Sequence, residues 1–291
     1  MARSRPAKVH GLLVVDKPAG VTSHDVVSMA RRSLGERKIG HSGTLDPDAT
    51  GVILLGVGNA TRLLRFITML PKTYETQIVF GASTTTLDDS GEVVQRFDMS
   101  ELDADGVRAE ATKLTGDILQ IPPMVSAIKI EGKRLHELAR QGIEVDRDPR
   151  PVTVYRFDVE ATADPLIWSA EIECGSGTYV RSLAADLGSA LGGGAHIRAL
   201  RRTKSGSFTG AEATSVDAFE LRPMADVMRD HPSVVVDNET VGKLRNGAFL
   251  ASDPEGDGPW AIFSEAGDLV AVHERDEKGR VRPGVVIPVT N

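Results

Sequence analysis

The chain has 291 residues, a formal net charge of −7 and a single cysteine, Cys174. This length allows one large and one small domain without covalent cross-links, and the single cysteine excludes an internal disulfide bond and a cysteine-based zinc site. The negative charge argues against indiscriminate nucleic-acid binding, and no apolar stretch approaches the roughly 20 residues that cross a bilayer, so we expect a soluble, cytoplasmic protein that does not bind membranes.

The first 35 residues predict a strand, a turn and a helix. Residues 11–15 form an apolar run typical of a buried strand, and Lys17-Pro18-Ala19-Gly20 has the composition of a turn. Thr22 is a candidate helix cap because Asp25 follows three residues later, as in a capping box. The residues expected to form the buried stripe of this helix are Val26, Val27, Ala30 and Leu34.

A glycine-rich loop follows, with the sequence Gly40-His41-Ser42-Gly43-Thr44-Leu45-Asp46-Pro47-Asp48-Ala49-Thr50-Gly51. Its glycines disfavour regular structure, and we expect no strand within residues 40–45. Two carboxylates, Asp46 and Asp48, flank Pro47, and the apolar run at residues 52–57 predicts a buried strand. An Asp-Pro-Asp sequence is most often a turn or a helix cap, but a loop anchored to a strand can also aim one carboxylate at a substrate.

The elements that follow favour an α+β fold. Expected helices cover residues 60–70, 102–114, 132–142 and 178–191. Expected strands cover residues 74–80, 152–160 and 167–174, followed by a strand pair that contains Leu200 and Phe208. Strands that occur in runs as well as beside helices indicate a mixed, mostly antiparallel sheet.

The C-terminal part of the sequence predicts a second domain. A boundary is expected near residue 230, which divides the chain into domains at residues 1–230 and 231–291. Short predicted strands beyond this boundary, at residues 234–236, 260–263, 269–273 and 285–289, are separated by glycine-containing turns. We therefore expect a small, β-rich C-terminal domain.

Positive charge is concentrated in two parts of the sequence. Residues 187–211 contain no acidic residue, and five basic residues lie within nine positions there: His196, Arg198, Arg201, Arg202 and Lys204. Residues 1–15 likewise contain no acidic residue. Both stretches are candidate phosphate-facing surfaces, although a basic run is more often only a solvated face.

Residues 40–51 resemble the catalytic motif of the bacterial tRNA pseudouridine-55 synthases, the TruB family. Further segments resemble motifs of this family in the same order, and they contain Lys17 and Pro18 (residues 11–23), Tyr74 (72–74), Arg181 (177–183) and Leu200 (194–202). Residues 122–142 resemble the start of its RNA-gripping thumb insertion, expected at about 122–151, with Val125 where a tyrosine is common. The C-terminal segment is similar to the PUA-type RNA-binding domain of the family.

The resemblance implies an isomerase that converts uridine 55 in the T stem-loop of tRNA to pseudouridine after flipping the base out of its stack. The implied catalytic residues are Asp46, Tyr74 and Arg181. An ionised Asp46 would attack C1′ or remove a sugar proton, and Arg181 would keep Asp46 ionised. Tyr74 would stack on the uracil and relay its C5 proton.

Five further residues are implied in substrate binding: Lys17, His41, Leu200, Arg201 and Arg202. Lys17 supports the catalytic loop, Leu200 closes the pocket against water, and His41 fills the gap left by the flipped base. Because the seven histidines are scattered and cysteine partners are missing, we expect no metal. We also expect no cofactor, and tRNA as the partner of a monomeric enzyme.

Two other classes of function must be weighed against this one. Residues 46–50 also match the D-x-D-x-T sequence of aspartyl-phosphate phosphatases, but no predicted strand leads into the motif and the sequence shows no downstream acidic cluster for Mg²⁺. A catalytically idle RNA-binding protein or tRNA chaperone would use the same basic stretches. The intact set of Asp46, Tyr74 and Arg181 argues against the idle protein, since a pure binder needs no carboxylate near phosphates.

Overall fold

The computed structural model describes residues 7–126, 129–130, 133–134, 143 and 145–288. The fold is α+β with mostly antiparallel strand pairing, as predicted. The helices of this part of the chain are α1 (Ser23–Leu34), α2 (Leu64–Thr68), α3 (Ala104–Lys113), α4 (Val180–Ala190) and α5 (Asn238–Arg245). Short 3₁₀ helices cover Gly58–Arg62, Gly210–Glu212 and Met224–Met228. None of the described helices is long and apolar enough to cross a membrane.

The described strands divide between one large sheet and several smaller ones. In chain order they are β1 (Gly11–Lys17), β2 (Ile39–His41), β3 (Thr50–Val57), β4 (Lys72–Phe80), β5 (Ala82–Thr84), β6 (Val93–Arg96), β7 (Gly116–Gln120), β8 (Lys129–Ile130), β9 (Lys133–Arg134), β10 (Arg150–Ala161), β11 (Ile167–Cys174), β12 (Ala195–Ser205), β13 (Phe208–Thr209), β14 (Ser233–Val236), β15 (Trp260–Ser264), β16 (Leu269–Arg275) and β17 (Val281–Val286).

One compact unit consists of residues 1–47, 51–70 and 205–291. In it β1 pairs antiparallel with β3, with Leu13 opposite Leu55, and β2 adds to β3. Residues 11–15 of β1 and 51–57 of β3 carry no polar side chain and are buried on both faces. One face packs against α1, and the other shares a core with α2 and with the C-terminal strands, where Leu12 and Val14 cluster with Leu269 and Val285. The C-terminal sheet has the order β14-β15-β16-β17.

The second compact unit consists of residues 48–50 and 71–204. Its strands follow the order β12-β4-β11-β10-β7, with antiparallel pairing from β4 to β7. Alternate residues of β4 and β11, such as Ile78 and Trp168 opposite it, are buried in an apolar core that also contains residues of α3 and α4. This alternation is what a strand with one covered face requires.

Most of the predicted elements are present. The predicted capping box of α1 is confirmed: the Asp25 N–H donates to Thr22 Oγ1 at 3.1 Å, and the Thr22 N–H donates to Asp25 Oδ2 at 2.9 Å. The predictions for β1, β3, β4, β10, β11, α3 and α4 are also confirmed, with ends displaced by a few residues. The domain boundary near residue 230 and the limits of the thumb insertion stay predictions.

Three local predictions are wrong, and one helix was not predicted. Gly40 and His41 belong to β2, because a free edge of β3 pairs with them. The predicted helix 60–70 is divided, because Gly58 takes a left-handed φ of 61° and opens a tighter 3₁₀ turn before α2. Lys133 and Arg134 pair with β8 instead of starting a helix, and the rest of that prediction, residues 135–142, lies outside the described residues. Helix α5 was not expected in the C-terminal segment.

Candidate active site

The loop that carries Asp46 is fixed at the residue that follows it. Lys17, at the end of β1, is fully buried, and its ammonium donates to three carbonyl oxygens: Pro18 O at 2.9 Å, Val21 O at 2.7 Å and Pro47 O at 2.8 Å. The Gly20 N–H also donates to Pro47 O, at 3.0 Å. Lys17 therefore ties the loop of Asp46 to the turn that follows β1 through three hydrogen bonds, an arrangement we call the Lys17 clamp.

The same loop is fixed at the residue that precedes Asp46. The Leu45 N–H donates to Ser23 Oγ at 2.9 Å, and Ser23 Oγ donates to Leu45 O at 3.1 Å. Ser23 is the first residue of α1, and the Leu45 side chain is 3% exposed. Half-buried Asp46 is thus held between two anchored neighbours, one of them a proline with fixed φ. Sequence analysis missed the role of Ser23, although the residue ends the motif that contains Lys17.

His41 lies at the start of this loop, as the last residue of β2. Its ring is partly exposed and packs edge to face against the ring of His24, with ring centroids 6.3 Å apart. The next residue, Ser42, is fully buried and donates its N–H to Leu54 O at 3.0 Å. The backbone at His41 is therefore held on one side by β2 and on the other by the Ser42 hydrogen bond.

In the second unit, Tyr74 on β4 and Leu200 on β12 pack against the same apolar core. The two strands are tied together by Thr76 Oγ1, which donates to Arg198 O at 2.9 Å. Ala199 has a φ of 55°, a left-handed conformation that is unusual for a residue with a side chain. This local kink changes the direction of β12 immediately before Leu200, and such irregularities commonly re-aim a side chain at functional sites.

Arg181 lies in the first turn of α4 and is 3% exposed, so it is not a surface cation of this helix. Its guanidinium donates from Nη1 to Thr86 O at 2.7 Å and from Nη2 to Val125 O at 2.8 Å. Arg181 Nε also lies 3.8 Å from Asp88 Oδ2. The position of the Arg181 side chain is therefore set by backbone carbonyls from two distant segments.

Asp88 is a residue of this site that sequence analysis missed. Its Oδ1 accepts hydrogen bonds from Thr86 Oγ1 at 2.5 Å, from Ser90 Oγ at 2.6 Å and from the Ser90 N–H at 3.1 Å. The loop docks on β12, because the Ile197 N–H donates to Leu87 O at 3.2 Å. Leu87 has a φ of 62°, so this docked loop contains a second strained residue. No local pattern in the sequence indicates that Asp88 approaches Arg181.

Only one of the five basic residues at positions 196–204 is exposed. Arg202 is 1% exposed and His196 is 8% exposed, so the expected phosphate-facing exposure of these two residues is wrong. Arg198 donates to Gln77 Oε1 at 2.6 Å, and half-buried Arg201 donates to Thr50 Oγ1 at 3.4 Å. Lys204 is the exposed member of the run. Two of these five residues are therefore buried and two are half-buried, so the run is not a continuous exposed surface.

Buried Arg202 has a buried cation beside it. Lys72, at the start of β4, is 4% exposed, and its burial together with the repulsion of Arg202 lowers its pKa to about 8. Cys174 lies opposite Lys72 in the β4–β11 pair, and burial raises the pKa of its thiol to about 11. Cys174 is therefore a neutral core residue. Lys72 lies on β4, two residues before Tyr74, so the repulsion between Lys72 and Arg202 acts at the start of the strand that carries Tyr74.

Among the residues that the structure describes, no group of three or more histidine, cysteine, aspartate or glutamate side chains is arranged to hold a metal ion. The candidate catalytic side chains offer a carboxylate (Asp46), a phenol (Tyr74) and a guanidinium (Arg181). These groups suit proton transfer, nucleophilic attack and charge stabilisation.

Comparison with known proteins gives the family. Residues 31–180 match the model of the TruB family pseudouridylate synthase N-terminal domain, and residues 181–233 match that of the tRNA pseudouridylate synthase B C-terminal domain. The tRNA pseudouridine synthase B of Corynebacterium glutamicum (strain R) is 45% identical over 285 residues, which cover 94% of this chain and 95% of the relative. That of Nocardia farcinica (strain IFM 10152) is 45% identical over 292 residues, which cover 96% and 94%.

A solved structure supports the same assignment. A chain in the crystal structure of a Cbf5-Nop10-Gar1 complex matches with a TM-score of 0.71 and 26% identity, over 97% of this chain and 84% of that chain. The sequence relatives match over nearly their full length, and the fold agrees with the predicted α+β class. The chain belongs to the TruB family of pseudouridylate synthases.

Proposed function

We propose that the chain isomerises uridine 55 in the T stem-loop of tRNA to pseudouridine, with Asp46 as its catalytic carboxylate. Membership of the TruB family and relatives named tRNA pseudouridine synthase B support an isomerase that acts on tRNA. The observation that carries the role of Asp46 is the double anchoring of its loop by Lys17 and Ser23. A turn or helix-cap aspartate would not need both of its neighbours to be fixed.

The reaction breaks the N1–C1′ bond, turns the uracil and joins C5 to C1′, so it is redox-neutral and needs no cofactor. A carboxylate that attacks C1′ or removes a sugar proton must be held at the sugar within a fraction of an ångström, since misplacement by about 1 Å costs on the order of 100-fold in rate. The anchors on Leu45 and Pro47 supply this restraint before the substrate binds.

Tyr74 and Arg181 complete the proposed catalytic set. Tyr74 presents an aromatic face to the flipped uracil, and its hydroxyl relays the C5 proton. Arg181 supplies fixed positive charge that stabilises the ionised form of the catalytic carboxylate. Its orientation does not depend on the substrate, because Thr86 O and Val125 O already accept two of its N–H groups.

The remaining residues of the site bind or enclose the substrate. Leu200 excludes water from the uracil pocket, and His41 occupies the gap that the flipped base leaves in the T loop. We assign Lys17 and Arg202 to positioning, because both are buried at 1% exposure or less. Arg201 is half-buried and is the arginine of the pair that we propose to contact RNA.

At the level of the whole chain, we propose a catalytic domain at residues 1–230 with a thumb insertion at about 122–151. Residues 231–291 form a PUA-type RNA-binding domain in this proposal, and the four-stranded sheet β14–β17 with α5 supports a β-rich domain there. The enzyme is proposed to act as a cytoplasmic monomer with tRNA as its partner.

Release of tritium from C5 of uridine tests this function. Unmodified tRNA that carries tritium at uridine C5 is incubated with the protein, and the label in water is counted, because isomerisation must remove that hydrogen. Asp46→Asn should abolish release and leave tRNA affinity within a few-fold. Asp48→Asn is the matched control, since it makes the same chemical change two residues away and should retain most of the rate. Release by Asp46→Asn at more than a few percent of the wild-type rate would remove Asp46 from the catalytic role.

A further inference from the structure

A cluster of exposed cations lies at the C-terminal end of α1. Five basic side chains from three neighbouring segments are exposed there: Lys8, Arg31, Arg32, Arg37 and Lys38. We call these five residues the α1 patch. They belong to the same compact unit as Asp46, in a chain whose net charge is −7. The sequence analysis singled out only the stretch that contains Lys8, because Glu36 interrupts the basic residues that follow α1.

The structure removes Glu36 as a partner for these cations. Glu36 is 7% exposed, and its carboxylate accepts the Lys8 N–H at 2.9 Å and the Lys38 N–H at 2.8 Å. Burial alone would raise the pKa of Glu36, but these backbone donors outweigh burial and lower it. The charge of Glu36 is therefore balanced by backbone N–H groups, and the cationic side chains point into solvent.

The cations themselves are not paired with acids. None of the five forms an ion pair with a carboxylate in the described part of the chain, and Arg31 donates to a backbone carbonyl, Ile39 O, at 2.9 Å. Arg31 and Arg32 lie in the last turn of α1, where they also offset the negative end of the helix dipole. That role does not explain Lys8, Arg37 and Lys38, which lie outside the helix.

The position of the α1 patch follows from the helix that carries it. Ser23, at the N-terminal end of α1, holds the loop of Asp46 through Leu45. The helix has 12 residues, and at about 1.5 Å per residue its other end lies roughly 17 Å away. The patch is therefore separated from the reacting nucleotide by about the length of the helix.

We propose that the α1 patch binds backbone phosphates of the substrate RNA several nucleotides away from the target uridine. This proposal rests on the proposed function for the presence of an RNA substrate. Exposed, unpaired cations release counterions when they meet phosphates, which makes binding salt-dependent. The patch carries no base-reading geometry, so it contributes affinity and orientation rather than sequence specificity.

The test compares two double variants that lower the net charge equally. Arg32→Gln with Arg37→Gln removes two patch cations, and Arg96→Gln with Arg108→Gln removes two exposed arginines of the other compact unit. Binding of full-length tRNA is measured by filter binding between 50 and 300 mM salt. The patch variant should lower the slope of log affinity against log salt by about 1.4–1.8, and affinity at 0.1 M salt by roughly tenfold or more. The control variant should shift both quantities by less than a third of that amount.

Two further measurements locate the contact. Turnover at saturating tRNA should stay at the wild-type value, because the patch does not touch the reacting atoms. With T-arm hairpins of progressively shorter stem, the affinity difference between wild type and patch variant should vanish. An unchanged salt slope, an equal effect of the control variant, or a difference that persists with the shortest hairpin would overturn the proposal. Failure of the wild-type protein to release tritium would instead contradict the proposed function, whereas the binding measurement would still test the role of the α1 patch.

Discussion

Replacement of Lys17 by methionine should reduce kcat far more than it reduces the free energy of unfolding. Lys17→Met keeps the length and the apolar stem of the side chain and deletes the ammonium that donates to Pro18 O, Val21 O and Pro47 O. Pro47 O retains a donor in the Gly20 N–H, so two carbonyls lose the donor that the structure gives them. The loop then loses its direct tie to the end of β1.

The expected loss of stability is moderate. A buried acceptor left without a donor costs about 1–3 kcal/mol, and removal of a buried ammonium returns part of that cost because its desolvation penalty also disappears. Pro18 is exposed, so water can replace the ammonium at its carbonyl. We expect a decrease in the free energy of unfolding of about 1–3 kcal/mol, which is small beside the roughly 5–15 kcal/mol of a typical domain.

The expected loss of activity is much larger. Release of Pro47 allows Asp46 to shift by about an ångström, which should lower kcat on the order of 100-fold. The assay is tritium release at saturating tRNA, with urea unfolding of the same preparations. Lys113→Met is the matched control, because it makes the same change at an exposed position of α3 and should leave both quantities near wild type. Ser23→Ala, which removes the acceptor of the Leu45 N–H, should lower kcat about tenfold.

A double variant tests whether the two anchors act on one loop. If Lys17 and Ser23 restrain the same residue, Asp46, then the effects of Lys17→Met and Ser23→Ala on kcat should not add. Folded Lys17→Met protein whose kcat lies within threefold of wild type would refute the clamp as the determinant of Asp46 geometry.

Three other predictions concern separate parts of the molecule. Tyr74→Phe should keep tRNA affinity and slow tritium release strongly, and a rate within twofold of wild type would limit Tyr74 to stacking. Arg181→Met should lower the rate by orders of magnitude and also lower the melting temperature, since Thr86 O and Val125 O lose their donors; a normal rate would exclude Arg181 from the reaction. Hydrogen bonds from Arg229 and Arg222 lower the pKa of Glu212 to about 2, from 4.5. This contribution to the free energy of unfolding is present above pH 4.5 and is lost as the pH falls toward 2. Glu212→Gln should therefore lower the free energy of unfolding by about 2 kcal/mol at pH 7 and make it less dependent on pH between 4.5 and 2. An equal pH dependence in both proteins would contradict this prediction.

Local sequence signals predicted the elements that local physics decides. The capping box at Thr22 and Asp25, the apolar alternation of β4 and the continuous apolar runs of β1 and β3 each depend on residues close together in the chain. The same holds for the loop of Asp46, whose composition marks it as irregular before any contact is known.

Contacts between distant segments were not accessible in this way. Asp88 and Arg181 are 93 positions apart in the numbering, and no periodicity relates them. Charge alone predicts an exposed Arg202, but the fold buries this side chain to 1% exposure. The α1 patch shows the opposite error. Glu36 interrupts the basic residues in the sequence, but Glu36 is buried and the cations around it are exposed.

The shared core of β1, α2 and the C-terminal strands has a consequence for the order of folding. The second compact unit consists almost entirely of one continuous segment, residues 71–204. It can therefore fold during synthesis, as domains commonly do. The unit that carries Asp46 includes residues 205–291, which supply part of the core around Leu12 and Val14. We therefore expect this core to be completed later in synthesis than the unit that contains Arg181.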